Sequence, residues 1–218
     1  MYYVAVDSDI LRAFACVATG KNAGKVDNNC NLLKYHEKNL KKLKQFIADC
    51  KLKLVITETV YGECNTEEMP LLKKFMNDPN YFVIVPTIDR DLVHSVAESY
   101  CYPVELDDGT VIQRPMISHY NAALGRTSPT NDCYIMAEAA ILGINLLTFN
   151  YKDFMLYSDK PSLRVAAIAA INKELGLVFK NASGQDDVSR PLKIDQFIDD
   201  LRHDKFILAT DVPAMIES

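Results

Sequence analysis

Asp7, Glu63, Asp132, Asn150 and Asp153 carry oxygen side chains at the places where an α/β chain gathers ligands. Asp7 directly follows the short apolar run Tyr2–Val6. Glu63 lies one to two turns into a helical stretch that follows Lys53–Ile56. Asp132 stands in the first turn of a helix opened by Thr130. Asn150 ends the run Asn145–Phe149, and Asp153 comes three residues later. Carboxylates brought together repel one another unless a cation sits between them. Oxygen donors with few His or Cys candidates select a hard ion, Mg²⁺ or Mn²⁺. Such a centre suits phosphodiester hydrolysis, because the metal activates water and offsets charge on the attacking and leaving oxygens.

Each residue also has a structural reading. Asp7 is a good helix N-cap, and an acid in a first turn, as Asp132 is, suits the helix dipole whatever the function. Glu58 fits a helix-start role better than Glu63 does. Five residues turn a helix by about 140°, so these two face apart. Glu63 has no capping role, and its side chain leans back towards the strand end. Convergence from four elements carries the signal, not any single residue. His94 and His119 are isolated and read as surface or core residues. The lysine-rich face of 34–53 reads first as a solvated helix face.

The elements that must position these acids alternate along the chain. Tyr2–Val6, Lys53–Ile56, Tyr81–Val85 and Asn145–Phe149 read as buried strands, with Leu177–Phe179 as a short fifth. Between them, helices are expected at Asp9–Val17, through Glu63, at Glu67–Asn77, at Asp89–Tyr100 and from Thr130 to Gly143. Two more follow at Ser162–Leu175 and Asp195–Arg202. Leu33, His36, Leu40, Leu43, Ile47 and Cys50 recur at three- and four-residue steps, which predicts an amphipathic helix with its lysines outward. This alternation predicts a mostly parallel central sheet covered on both faces, with ligands beyond the carboxyl ends of its strands. Two segments depart from it. Asp108-Gly109 between β-prone runs predicts a hairpin, and Lys180–Pro191 reads as a polar loop. The expected organisation is one domain over 1–205 with a hairpin insertion near 103–126, then a tail over 206–218. Arg114 and Arg126 on that insertion could meet phosphates, or the hairpin could be surface decoration.

Composition bounds the rest. Hydrophobic residues make up 49% and charged residues 24% of 218, which is a globular balance. The net charge of −5 excludes a global basic field. The basic residues nevertheless crowd between Lys21 and Lys53, while acids crowd the C-terminal stretch. The six cysteines have no CxxC spacing, so free thiols are expected rather than a zinc site. No apolar run is long enough to span a bilayer, and no basic region precedes the first apolar run. A cytoplasmic protein with no membrane partner is the expectation.

Three blocks then resemble one family. YYVAVDSDIL, LVITETVYGEC and SPTNDCYIMAEAAILGINLLTFNYKDF are similar to the three blocks of PIN-domain nucleases, including VapC-type ribonuclease toxins. The third is the most specific, through its internal spacing and its closing Asp153-Phe154. The resemblance implies a three-layer α/β/α sandwich and a metal-dependent endoribonuclease. Asp7, Glu63 and Asp132 would be its metal-binding acids, with the neutral Asn150 at the position of the family's fourth acid and Asp153 matching the acid of its D-F pair. The implied partners are RNA, single-stranded or structured, an antitoxin protein and a second copy of the chain. Small PIN toxins are much shorter than this chain. Two rivals stand beside this reading. One is a non-catalytic PIN-like module that binds RNA or protein, suggested by the neutral Asn150. The other is a phosphatase of the haloacid dehalogenase type, whose D-x-D Asp7-Ser8-Asp9 resembles, although Ile10-Leu11 replaces the expected continuation.

Overall fold

Val4, Ala5 and Val6 are fully buried, and Asp7 closes the run, so strand β1 takes the expected bounds Tyr2–Val6. The computed structural model describes residues 2–20, 30–67, 69–85, 88–117, 129–154, 166–167, 169–171, 173, 175, 179–180, 186–187 and 191–203. In it β1 is the middle of a five-stranded sheet. On one side lie β2 (Leu52–Ile56) and then β3 (Phe82–Ile84); on the other lie β6 (Leu146–Leu147) and then β9 (Pro191–Leu192). Every pairing in this sheet is parallel, with Val4 opposite Leu54, Val55 opposite Val83 and Val6 opposite Leu147.

Parallel neighbours need crossover connections. Helices α1 (Ser8–Thr19) and α2 (Cys30–Ala48) join β1 to β2, and α3 (Glu58–Cys64) and α4 (Pro70–Met76) join β2 to β3. The return to β6 runs through α5 (Arg90–Glu98), the hairpin β4 (Cys101–Glu105) with β5 (Val111–Pro115), and α6 (Asn131–Ile141). After β6 come α7 (Tyr151–Phe154) and, at the far end, α8 (Ile194–Arg202). The chain therefore walks outward from β1 on one side, then crosses to β6 on the other. Strand order reverses between β1 and β6, the place where open parallel sheets bind ligands.

The core is continuous from β1 to α8. Phe14 of α1 meets Phe82 edge-on at 6.1 Å, and Phe75 of α4 meets Phe82 at 5.1 Å. Each such ring, fully buried, contributes about 1.5–3 kcal/mol over leaving it exposed. Helix α6 is buried from Ile135 to Ile141, alanines included. A helix that is apolar nearly all round belongs between neighbours, and α6 packs against both α5 and α3.

Several expectations needed correction. Helix α2 ends at Ala48, so Cys50 is not on its apolar face. Cys50 is exposed and left-handed, at φ 55°, where the chain turns back towards β2. The hairpin begins earlier than expected, at Cys101, with Cys101 opposite Pro115. Its loop turns at Gly109, whose φ of 81° suits a residue without a Cβ. Phe179–Lys180 is not a strand of the central sheet. It is β7, paired antiparallel with β8 (Asp186–Asp187), inside the segment expected to be loop. The fifth central strand is β9 instead. The described positions within Ser162–Leu175 are helical, while the tail over 206–218 lies outside the described residues. Among the described residues no helix is long and apolar enough to cross a membrane.

Candidate functional site

Asp7 ends β1 in an extended conformation and caps α1. Its Oδ1 accepts the Ile10 N–H at 2.9 Å. Its Oδ2 accepts the hydroxyl of Thr148, which follows β6 on the neighbouring strand. Parallel pairing of β1 with β6 is what brings these two residues together. Asp7 is 4% exposed. Burial pushes its carboxyl from 3.8 up to about 7, against the pull of the Thr148 and Ile10 hydrogen bonds, and Asp9 adds a smaller push. Among the described residues, the strongest influences on it besides burial are neutral donors and another acid. A positive charge placed here would ionise it.

Around Asp7 the polar groups of β6 and α1 interlock. The Asn150 N–H donates to the Thr148 hydroxyl at 2.9 Å, and the Asn150 side-chain amide donates to Asp9 at 3.2 Å. Arg12, one turn further along α1, lies 3.7 Å from Asp9. Cys64, at the end of α3, shares this neighbourhood. Burial pushes its thiol up to about 11; Arg12 opposes that rise, while Glu63 and Asp7 add to it.

Two rungs join α3 to α6. The Asn131 amide donates to Glu63 Oε1 at 2.8 Å. Near the other end of α3, the Thr59 N–H and hydroxyl donate to Glu138 Oε1 at 3.0 and 2.8 Å. The first rung lies four residues further along α3 but seven residues back along α6, so the helices run in opposite senses. Glu138 is 3% exposed. Burial raises its carboxyl, opposed by the threonine donors. The ladder fixes Glu63 beside the first turn of α6, which carries the half-buried Asp132.

The expected site residues are thus gathered in pairs. Asp7 and Asn150 meet through Thr148 and Asp9, and Glu63 meets the neighbour of Asp132. Among the described residues no three His, Cys, Asp or Glu side chains stand close enough to hold one ion. Asp153 falls in α7, and its side chain lies outside the described residues, as do His119 and Arg126. The remaining candidates make local contacts. Glu58 pairs with Arg90 at 2.5 Å. His94 bonds the Tyr134 hydroxyl at 2.9 Å and sits 3.3 Å from Glu98. On the lysine face, Lys41 pairs with Glu37, and Lys44 donates to the Ala18 carbonyl at 2.9 Å.

Sequence reasoning missed Thr148, Arg12, Asn131 and Glu138. Only Thr148 had a signal, as a polar residue within the buried run Asn145–Phe149, two places before Asn150. The others depend on which helices face each other. No protein-family model matches the chain, and no curated protein or solved structure matches it.

Proposed function

We propose that the protein is a metal-dependent endoribonuclease of the PIN type, folded as a three-layer α/β/α sandwich. One observation carries the reading: a buried aspartate at the reversal point of a parallel sheet, its carboxyl pushed up by burial and by the neighbouring Asp9. The donor chemistry fits a hard divalent cation, since every candidate ligand is an oxygen. Asp7 would hold Mg²⁺ or Mn²⁺, with Glu63, Asp132, Asn150 and Asp153 as the further donors. Such an ion supplies an activated water and offsets charge on the phosphate. The chain's own residues prepare the place. Thr148 fixes one oxygen of Asp7 and the Ile10 N–H fixes the other, so the carboxylate cannot rotate away. Asn150 holds Asp9, which keeps that second acid from turning freely beside Asp7. The α3–α6 ladder holds Glu63 beside Asn131 at the start of α6, which supports its part in the site.

The test is cleavage of a labelled single-stranded RNA with Mg²⁺ or Mn²⁺, by wild type and by Asp7→Asn. Metal-dependent cutting that the variant lacks is the expected result. RNA binding without cutting would favour the non-catalytic module. Hydrolysis of a small phosphomonoester, with RNA left intact, would favour a phosphatase.

A further inference from the structure

Helix α2 turns Leu40, Leu43 and Ile47 into the core. Lys38 and Lys42 lie one turn apart on its outer side, Lys38 exposed and Lys42 half-buried. Lys44, about 200° round the helix from Lys42, reaches back to α1 at the Ala18 carbonyl. Lys42 therefore stands on the flank towards α8, which also packs on α2. Arg202 is exposed in the last turn of α8. Burial, and then the charges of Arg202 and Lys38, hold the Lys42 amine below its ordinary value. Among the described residues none of these three bases has a carboxylate within ion-pair range. The acids of α8 are placed elsewhere. Asp199 lies 3.6 Å from His203, and the buried Asp200 accepts the Gln196 amide at 3.2 Å. Asp195 stands in the first turn, at the end opposite Arg202.

Two ring contacts tie this ridge to Asn150. Phe149, directly before it, stacks on His36 of α2 with ring centroids 4.5 Å apart. Tyr151, directly after it, lies under the Lys193 ammonium at 5.0 Å, and Lys193 is the N-cap of α8. Each neighbour of Asn150 is thus covered from one of the two helices that make the ridge. We propose that the α2–α8 ridge, through Lys38, Lys42 and Arg202, binds the phosphate backbone of single-stranded RNA and leads the strand towards Asn150. The inference rests on the nuclease reading for what is cut, and adds where the uncut part of the strand lies. Like charges crowded without acids are relieved by a polyanion, which gives up its own counterions in exchange. A basic track flanked by aromatic rings suits a single strand, whose bases can stack. A membrane surface fits less well. The large apolar residues exposed among the described ones are Leu71, Ile84, Leu106 and Val111, none of them on α2 or α8, so the ridge has no anchor for a lipid interface.

The test is binding, not cutting. Fluorescence anisotropy of a labelled single-stranded RNA is followed against salt with the full chain, in EDTA so that no metal is present. Wild type is compared with the combined variant Lys38→Gln, Lys42→Gln, Arg202→Gln, its fold checked by circular dichroism. The variant should bind more weakly, and its slope of log affinity against log salt should be shallower by about 2, since each phosphate contact on a single strand contributes about 0.7. Lys74→Gln is the control, on α4, which packs against β3 at the other end of the sheet. It should leave the slope unchanged. An unchanged slope in the combined variant would overturn the proposal, as would an equal loss in Lys74→Gln. Binding to phosphatidylserine vesicles, with RNA left unbound, would overturn it in favour of a membrane face. RNA bound along the ridge but never cut with Mg²⁺ or Mn²⁺ would support the surface while the nuclease reading fell.

Discussion

Asp7 and Glu63 are acids at the same edge of the sheet, but they are held in opposite ways. Asp7 sits on a strand end, fully desolvated, between a backbone N–H and a hydroxyl. Glu63 sits on a helix, partly exposed, with a side-chain amide donating to it. Burying a carboxyl without a cation costs folding free energy, whereas a partly hydrated one costs little. The first acid therefore carries tension that a ligand could relieve, and the second supplies charge at almost no structural cost. Under the nuclease reading, a site built this way would concentrate its demand for a cation at Asp7.

The comparison can be broken most directly at Asp7. Under the nuclease reading, Asp7→Asn lowers metal-dependent RNA cleavage by roughly 10²–10³-fold, the scale for losing one electrostatic group from an active site. The fold should survive, as read by circular dichroism. Retained cleavage would remove Asp7 from the chemistry.

The stability side has a definite sign. The folded carboxyl of Asp7 titrates at about 7 and the unfolded one at 3.8, so the native state binds more protons between these values. Stability from this residue is fully present below about pH 4 and is lost as pH rises to about 7. The loss is of order 4 kcal/mol. Urea midpoints across that range, wild type minus Asp7→Asn, isolate it from the other carboxylates. The variant should be the more stable protein at pH 8. An unchanged difference from pH 4 to pH 8 would show that Asp7 is not desolvated.

Glu138 tests the ladder. Glu138→Ala leaves the Thr59 N–H and hydroxyl without their acceptor and should cost about 2 kcal/mol, by the usual penalty for orphaned buried donors. Glu138→Gln keeps an acceptor oxygen and should cost less, measured as a denaturant midpoint. Equal costs would mean that packing volume, rather than the hydrogen bonds, sets the effect.

The smallest stability effect belongs to Glu63. Glu63→Gln should stay within about 0.5 kcal/mol of wild type, as surface substitutions do, while cleavage falls roughly tenfold if it helps to hold the ion. A stability loss as large as that of Glu138→Ala would erase the contrast between the two acids.

Much of this was legible in the sequence, for reasons that differ by element. β1 has the expected bounds because a short apolar run ending in Asp leaves no other choice. The hairpin turn was legible because Asp108-Gly109 supplies local turn chemistry and the glycine's positive φ. Helix α6 was legible from Thr130 and the apolar residues after it. β9 was not, since two residues, Pro191 and Leu192, make no periodic pattern. Its place is set by backbone pairing with β6.

By itself the sequence determined the strands β1, β2 and β3, the helices between them, and the acids that follow, because hydrophobic period and capping are local properties. Only the tertiary structure decided that β1 lies between β2 and β6 and that Thr148 therefore bonds Asp7. It alone also decided that α3 lies along α6, giving Glu138 its partner. These are choices among non-local pairings. Residues far apart in the chain meet only when a shared core makes their elements neighbours, and no short-range pattern encodes which neighbour that will be.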